Sequence, residues 1–181
     1  MITVKRKKST YEDYHRLPEG APYQLIGGEL IMTPAPTPYH QIIAQNLNRE
    51  LLKLQEKKIG KVLFAPIDVY LSETETYQPD LIFIVNERRN IIGEDKIEGA
   101  PDLVIEILSP GTAYYDLKHK MRVYEKKGVR EYWIVDPIEK SIELFTNKEG
   151  SFVLLNQALG KGVVQSGIFD TLKVDLDNIF D

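Results

Sequence analysis

The chain has 181 residues, with 23 Lys+Arg against 27 Asp+Glu for a net charge of −4, 43% hydrophobic and 28% charged residues, and no cysteine. That composition predicts a globular protein with a real hydrophobic core, and the missing cysteine removes disulfides, Cys-based zinc sites, Fe–S clusters and thiol nucleophiles together. The longest purely apolar run, LIFIV from Leu81, is too short for a bilayer span, and the basic opening MITVKRKKST carries no apolar signal segment. Net acidity argues against a protein that coats nucleic acid nonspecifically, and a cytoplasmic location with no membrane partner is the expectation.

No internal repeat or linker-like stretch interrupts the chain, which reads as one domain over residues 1–181. Ser9 with Glu12 three residues on is a capping-box pattern and predicts a short first helix. YQLIGGELIMTP predicts paired strands turning at Gly27 and Gly28. Thr37 and Pro38 supply an N-cap and a first helical residue, and His40, Ile43, Leu47, Leu51 and Leu54, spaced by three and four, predict one buried helix face ended by Gly60. KVLFAPIDVYL and PDLIFIV read as two strands joined by a polar turn over residues 72–76, and residues 86–99 as a charged loop. PDLVIEIL, apolar on both faces, reads as a central strand. Residues 114–127 predict a helix stopped by Gly128, EYWIVD a further strand, and SIELFT and SFVLL a hairpin around Gly150. The strand–helix–strand passage over 102–136 implies a parallel crossover between antiparallel pairs. The expected fold is α/β, with a mixed sheet in the order helix, three strands, helix, strand, and extra antiparallel hairpins.

The chain has no G-x-x-x-x-G-K-[ST], G-x-G-x-x-G or G-x-S-x-G motif, and its three histidines, His15, His40 and His119, lack metal-ligand spacing. What stands out is acid within strands. Glu106 is flanked by apolar residues in LVIEIL, and a buried carboxylate is costly unless it is paired or holds a metal. Asp102 and Glu106 share a strand face but lie about 13 Å apart, too far to share an ion. Asp80, opening the neighbouring strand, is the better partner, and two carboxylates on adjacent strands suit Mg2+. The competing reading makes Glu106 a hydrogen-bonded structural acid and Asp102 a strand-start residue.

Basic residues gather in two places. Residues 115–130 carry a local balance of +4, and Lys5, Arg6, Lys7 and Lys8 open the chain; a solvated face is the ordinary reading of such patches. With Leu117 at the centre of the helix's buried stripe, Lys118, Arg122 and Lys126 face water, while Lys120 sits roughly 60° from the centre and can reach the sheet. Its alternative is an i,i+4 pair with Asp116.

PDLVIEILSPGTAYYDLKHKMRVYEKKGVREYWIVDP resembles the signature of the Uma2 (DUF820) family, restriction-endonuclease-like proteins of the PD-(D/E)xK nuclease superfamily. YQLIGGELIMTPAPTPYHQ, YQPDLIFIVNERR and SGIFDTLKVDLDNIF resemble its flanking segments, so the likeness spans nearly the whole chain. The resemblance implies a restriction-endonuclease-like core with Asp80 as the first acid of the motif and Glu106 as the second. The motif lysine belongs two residues after the second acid, where this chain has Leu108; Lys120, from the following helix, matches the lysine that replaces it. Asp68 and His40 also match family positions, although His40 on an apolar helix face reads equally as a core histidine. The implied activity is an endonuclease hydrolysing phosphodiester bonds in DNA. Mg2+, or Mn2+ in its place, would sit on Asp80, Glu106 and a neighbouring backbone carbonyl, and Lys120 would act on the attacking water. A homodimer is a further expectation, since two active sites cut two strands. Leu108 motivates the alternative, a catalytically inactive nuclease-fold module binding nucleic acid or protein; RNA as substrate is the third reading.

Overall fold

The computed structural model describes residues 8–111 and 113–181, so Lys5, Arg6 and Lys7 of the basic opening lie outside the described residues. In chain order the first elements are α1 (Tyr11–His15), β1 (Tyr23–Ile26), β2 (Glu29–Met32) and α2 (Pro38–Glu56). There follow β3 (Gly60–Phe64), β4 (Val69–Ser72), β5 (Glu75–Tyr77), β6 (Leu81–Val85), β7 (Ile97–Glu98) and β8 (Leu103–Ile107). A π-helical segment, Tyr115–Lys120, runs into α3 (Met121–Lys127), then β9 (Glu131–Asp136), β10 (Ser141–Lys148) and β11 (Ser151–Leu159). The chain closes with β12 (Val163–Gln165), β13 (Lys173–Asp175) and α4 (Asp177–Phe180).

The expected mixed sheet is present, with six strands in the order β11-β10-β9-β8-β6-β3. Only β8 and β9 pair in parallel, across the crossover that carries the π-helical segment and α3; the other pairs are antiparallel. Alternation along the strands gives the sheet two apolar faces. Leu81, Phe83, Leu103, Ile105, Ile107, Trp133 and Val135 pack with the stripe of α2 (Ile43, Leu47, Leu51, Leu54) and with α4. Ile82, Ile84, Val104, Tyr132 and Ile134 pack with Tyr124 of α3 and with a second sheet, ordered β2-β1-β5-β4-β7. Thr37 caps α2 by accepting the His40 N–H, and Gly128 ends α3 in the left-handed conformation at φ 86°, both as the sequence predicts. Glu131, buried, accepts from the Trp133 indole N–H at 2.6 Å and the Gly167 N–H at 2.7 Å, tying the C-terminal segment to β9.

Several boundaries differ from expectation for physical reasons. The first helix is capped by Thr10 and Asp13, not Ser9 and Glu12, because the Ser9 N–H is spent on the Gly28 carbonyl of the β1–β2 turn. KVLFAPIDVYL is two strands in two sheets: Ala65 makes the last bond to Asp80, and Pro66, with no N–H, cannot continue the ladder. Residues 86–99 hold a 3-10 turn (Asn86–Ile91) and β7. α2 ends at Glu56, and Gly60 instead opens β3, where a Cβ would stand 2.2 Å from the Ile84 carbonyl oxygen. The helix over 114–127 is π-helical in its first part, and Leu117 is exposed; Asp116, Lys120 and Tyr124 face inward. Lys118, Arg122 and Lys126 are exposed, as the wheel placed them. Among the described residues no helix is long and apolar enough to cross a membrane.

Asp102 is the strand-start residue of the competing reading. It is fully buried, takes Arg88 at 3.1 Å and Arg130 at 3.3 Å on Oδ1, and accepts the Val85 N–H on Oδ2. Asp102→Ala is expected to destabilise the fold by about 3 kcal/mol, since it strands a buried N–H and two arginines. The urea midpoint of the variant checks this, and a midpoint equal to that of the parent refutes it.

Candidate active site

The antiparallel register of β6 on β8 pairs Leu81 with Ile105, and one step further along sets Asp80 opposite Glu106. Asp80 Oδ2 accepts the Ile107 N–H at 2.7 Å, which fixes the carboxylate against the end of β8. From α2, His40 Nε2 lies 3.2 Å from the Ile107 carbonyl oxygen and 3.4 Å from Asp80 Oδ1. Both neighbours accept only, so Nε2 carries the hydrogen. His40 Nδ1 is buried with no hydrogen-bond partner among the described residues.

On the other side of Glu106 stands the crossover. Lys120 Nζ donates to Glu106 Oε1 at 3.0 Å and lies 2.8 Å from Asp116 Oδ1, the i,i+4 partner. The Tyr124 hydroxyl donates to the same Glu106 Oε1 at 2.8 Å. Asp116, Lys120 and Tyr124 therefore form one inward polar stripe. Lys120 reaches the sheet and pairs with Asp116 at once, so the two sequence alternatives are both realised. Tyr132 anchors the segment by donating to the Asp116 carbonyl at 3.1 Å, and the Tyr77 ring lies 5.7 Å from the ammonium. Leu108, in the motif lysine's place, packs into the core on this side of the sheet.

The charges are unevenly matched. Glu106 is 3% exposed and Lys120 1%. Burial pushes the Glu106 carboxyl up to about 8; Lys120 opposes the shift, and the Asp116 and Asp80 charges add to it. Burial alone would lower the Lys120 pKa, but Glu106 and Asp116 outweigh it and hold the ammonium charged. The two directions have one origin, a single ammonium shared by two carboxylates with a third acid nearby. His40 is likewise weakened as a cation by burial, yet Asp80 and the Ile107 carbonyl raise its pKa above the ordinary value.

Of the residues singled out by sequence, the structure brings Asp80, Glu106, Lys120 and His40 together. Asp68 instead accepts from the Tyr14 hydroxyl at 2.7 Å and the Gln78 amide at 3.0 Å, fastening α1 to the second sheet. Sequence reasoning missed Tyr124 as a partner of Glu106, although its four-residue spacing from Lys120 was a signal for it.

This donor set suits a hard divalent cation. Both hydrogen bonds to Glu106 fall on Oε1, so Oε2 receives none from the described residues, and Asp80 Oδ1 and the Ile107 carbonyl are further oxygens nearby. No cluster of three His, Asp or Glu side chains able to hold a metal forms among the described residues. Two carboxylates and a carbonyl are nevertheless the kind of oxygen donors that Mg2+ takes, with water and substrate oxygens completing its shell.

Comparison with known proteins places this arrangement in context. A model of the Uma2 family, described as "Putative restriction endonuclease", matches residues 11–175. An uncharacterized protein, sll1609, of Synechocystis sp. (strain PCC 6803) is 24% identical over 166 residues, covering 89% of this chain and 93% of that protein. The crystal structure of a putative nuclease belonging to DUF820 from Anabaena variabilis superposes with a TM-score of 0.77 at 20% identity, covering 94% of this chain and 97% of the other. That structure shares the fold.

The Glu106 environment has a pH signature. Its folded pKa of about 8 lies above the ordinary value of 4.5, so the stability it contributes is complete below about pH 4.5 and is lost as pH rises through about 8. In metal-free buffer the parent is expected to lose several degrees of Tm relative to Glu106→Gln between pH 5 and pH 9. Parallel pH profiles for the two proteins would show that no such burden rests on Glu106.

Proposed function

The chain belongs to the Uma2 family, and from that membership and the site's geometry we propose that it is a Mg2+-dependent endonuclease hydrolysing phosphodiester bonds in DNA. The observation that carries the reading is the meeting of Asp80 and Glu106, from adjacent strands, with an ammonium delivered by the next helix. Asp80, Glu106 and the Ile107 carbonyl would hold Mg2+, or Mn2+ in its place, which would supply Lewis-acid polarisation of a phosphate oxygen and a more acidic water.

The chain's own residues do the rest. Lys120, held charged by two carboxylates, presents a fixed positive charge to the anion that builds up at phosphorus and orients the attacking water. Asp116 keeps that ammonium aimed at the sheet, replacing the strand anchorage lost to Leu108. Tyr124 holds one oxygen of Glu106, leaving the other for the cation. His40 steadies Asp80 and the Ile107 carbonyl from α2.

One observation favours the second reading, a nuclease-fold module that binds without cutting: Lys120 and Glu106 are engaged with each other and almost closed to water. A single set of experiments separates the two. The parent is expected to nick supercoiled plasmid with Mg2+ and not with EDTA. Glu106→Gln and Lys120→Met, each checked for folding by circular dichroism, are expected to lose about 100-fold or more. Calorimetry is expected to show Mn2+ binding that Asp80→Asn abolishes. Full activity in Glu106→Gln overturns the assignment of that residue. DNA affinity without any metal binding favours the binding module, and cleavage of RNA alone overturns DNA as substrate.

A further inference from the structure

Asp80 is one wall of an open groove of about 370 Å³ that runs along α2. The helix contributes Gln41, Gln45 and Asn48, spaced by four and three on one stripe beside the buried face. Their side chains have no hydrogen-bond partner among the described residues, and Asn48 Oδ1 is itself buried in that state. Ile42 and Phe64 supply the apolar surface, and Phe64 is 63% exposed at the end of β3. The β3–β6 register sets Phe64 opposite Leu81, and the next residue, Ala65, donates its N–H to the Asp80 carbonyl. An exposed aromatic ring therefore stands one residue from the acid proposed to act on the phosphate.

Among the described residues, no Lys or Arg lines the groove. The exposed Lys118, Arg122 and Lys126 belong to the crossover helix and are not among its lining residues. A duplex hides its base faces in the stack, so an exposed ring has nothing there to stack on. Amides and a free aromatic face match the opposite target, bases that are unpaired: the ring stacks on a base, and the amides meet base edges or sugar. We infer that the Asp80 groove takes an unpaired nucleic-acid strand, with Phe64 stacking on the base beside the phosphate to be cut. This deepens the nuclease reading and rests on it. One centre suffices for one strand, so no second copy of the chain is needed for a cut.

Binding measured in EDTA tests the groove separately from the chemistry. Fluorescein-labelled (dT)12, (rU)12 and a 12-base-pair DNA hairpin serve as probes in anisotropy titrations, and a (dT)12 carrying one 2-aminopurine reports stacking by quenching. The parent is expected to bind a single strand more tightly than the hairpin, with quenching on binding. Phe64→Ala, at an exposed position where Tm is expected to be unchanged, should weaken single-strand binding about tenfold or more and abolish the quench. Phe64→Trp should restore both, and hairpin binding should be indifferent to either change. The (dT)12 and (rU)12 arms tell which sugar is preferred, and preference for either one supports the proposal. Tighter binding of the hairpin, or single-strand affinity unchanged in Phe64→Ala, overturns it. Plasmid nicking at the parental rate by Phe64→Ala, together with unchanged affinity, would overturn the groove while leaving the nuclease reading intact. Stacking without Mg2+-dependent cleavage of any probe would do the reverse.

Discussion

The site depends on one ammonium held between two carboxylates. Lys120 meets Glu106 at 3.0 Å and Asp116 at 2.8 Å in surroundings almost closed to water. Burying an ammonium among acids is expensive, and a partner removed from such a set leaves an uncompensated charge behind. The arrangement survives because the phenol of Tyr124 adds a second donor to Glu106, and because the Tyr132 hydroxyl ties the backbone at Asp116 to β9. These bonds join the crossover helix to the central strand. The helix end and the strand end cannot separate without exposing that cost.

At the end of β8 Leu108 stands where an amine could have been, and an ammonium reaches Glu106 from the crossover helix instead. With Leu108 on the strand, that side of β8 is completed by apolar packing with Val104 and Ile134. The cation has to arrive from the layer above, and the π-helical segment is where the chain turns Asp116 and Lys120 inward together. Such widened turns often mark functional positions in helices. The second sheet acts as a backstop: Tyr77 lies beneath the ammonium, and its hydroxyl donates to Glu75, which also receives the Gly27 N–H at 2.9 Å and lies 3.1 Å from His119, the neighbour of Lys120.

Much of this was legible in the sequence where the signal is local and periodic. The stripe of α2, the apolar residues on both faces of β8, the Gly128 stop and the strand–helix–strand crossover each follow from patterns read along a continuous stretch of chain. Of the second sheet only the β1–β2 pair was legible, because β4, β5 and β7 are four, three and two residues long and are defined by partners distant in the chain. The helical wheel placed Lys120 close to the sheet but centred the buried face on Leu117. A hydrophobicity argument assigns polar side chains outward, and here an acid, an amine and a phenol take the inward face, so the exposed leucine was mistaken for the anchor. Asp80 and Glu106 were legible as acids in strands, while their opposition required the β6–β8 register.

Three buried acids of this chain differ in how the fold matches their charge. Asp102 faces two arginines and a backbone N–H, so its charge is matched and its role is to hold β8 to its neighbours. Glu131 is raised by burial, but its donors are neutral groups that close around it, the Trp133 indole and the Gly167 N–H among them. Glu106 is raised by neighbouring anions as well as by burial, with Asp116 and Asp80 both contributing. Glu106 shares one ammonium with Asp116, and one of its own oxygens has no donor among the described residues. The charge that the fold leaves unmatched therefore lies with Glu106, close to where Asp80 opens to the α2 groove, and a carboxyl perturbed in this way beside a cleft is the kind of group that functional sites use.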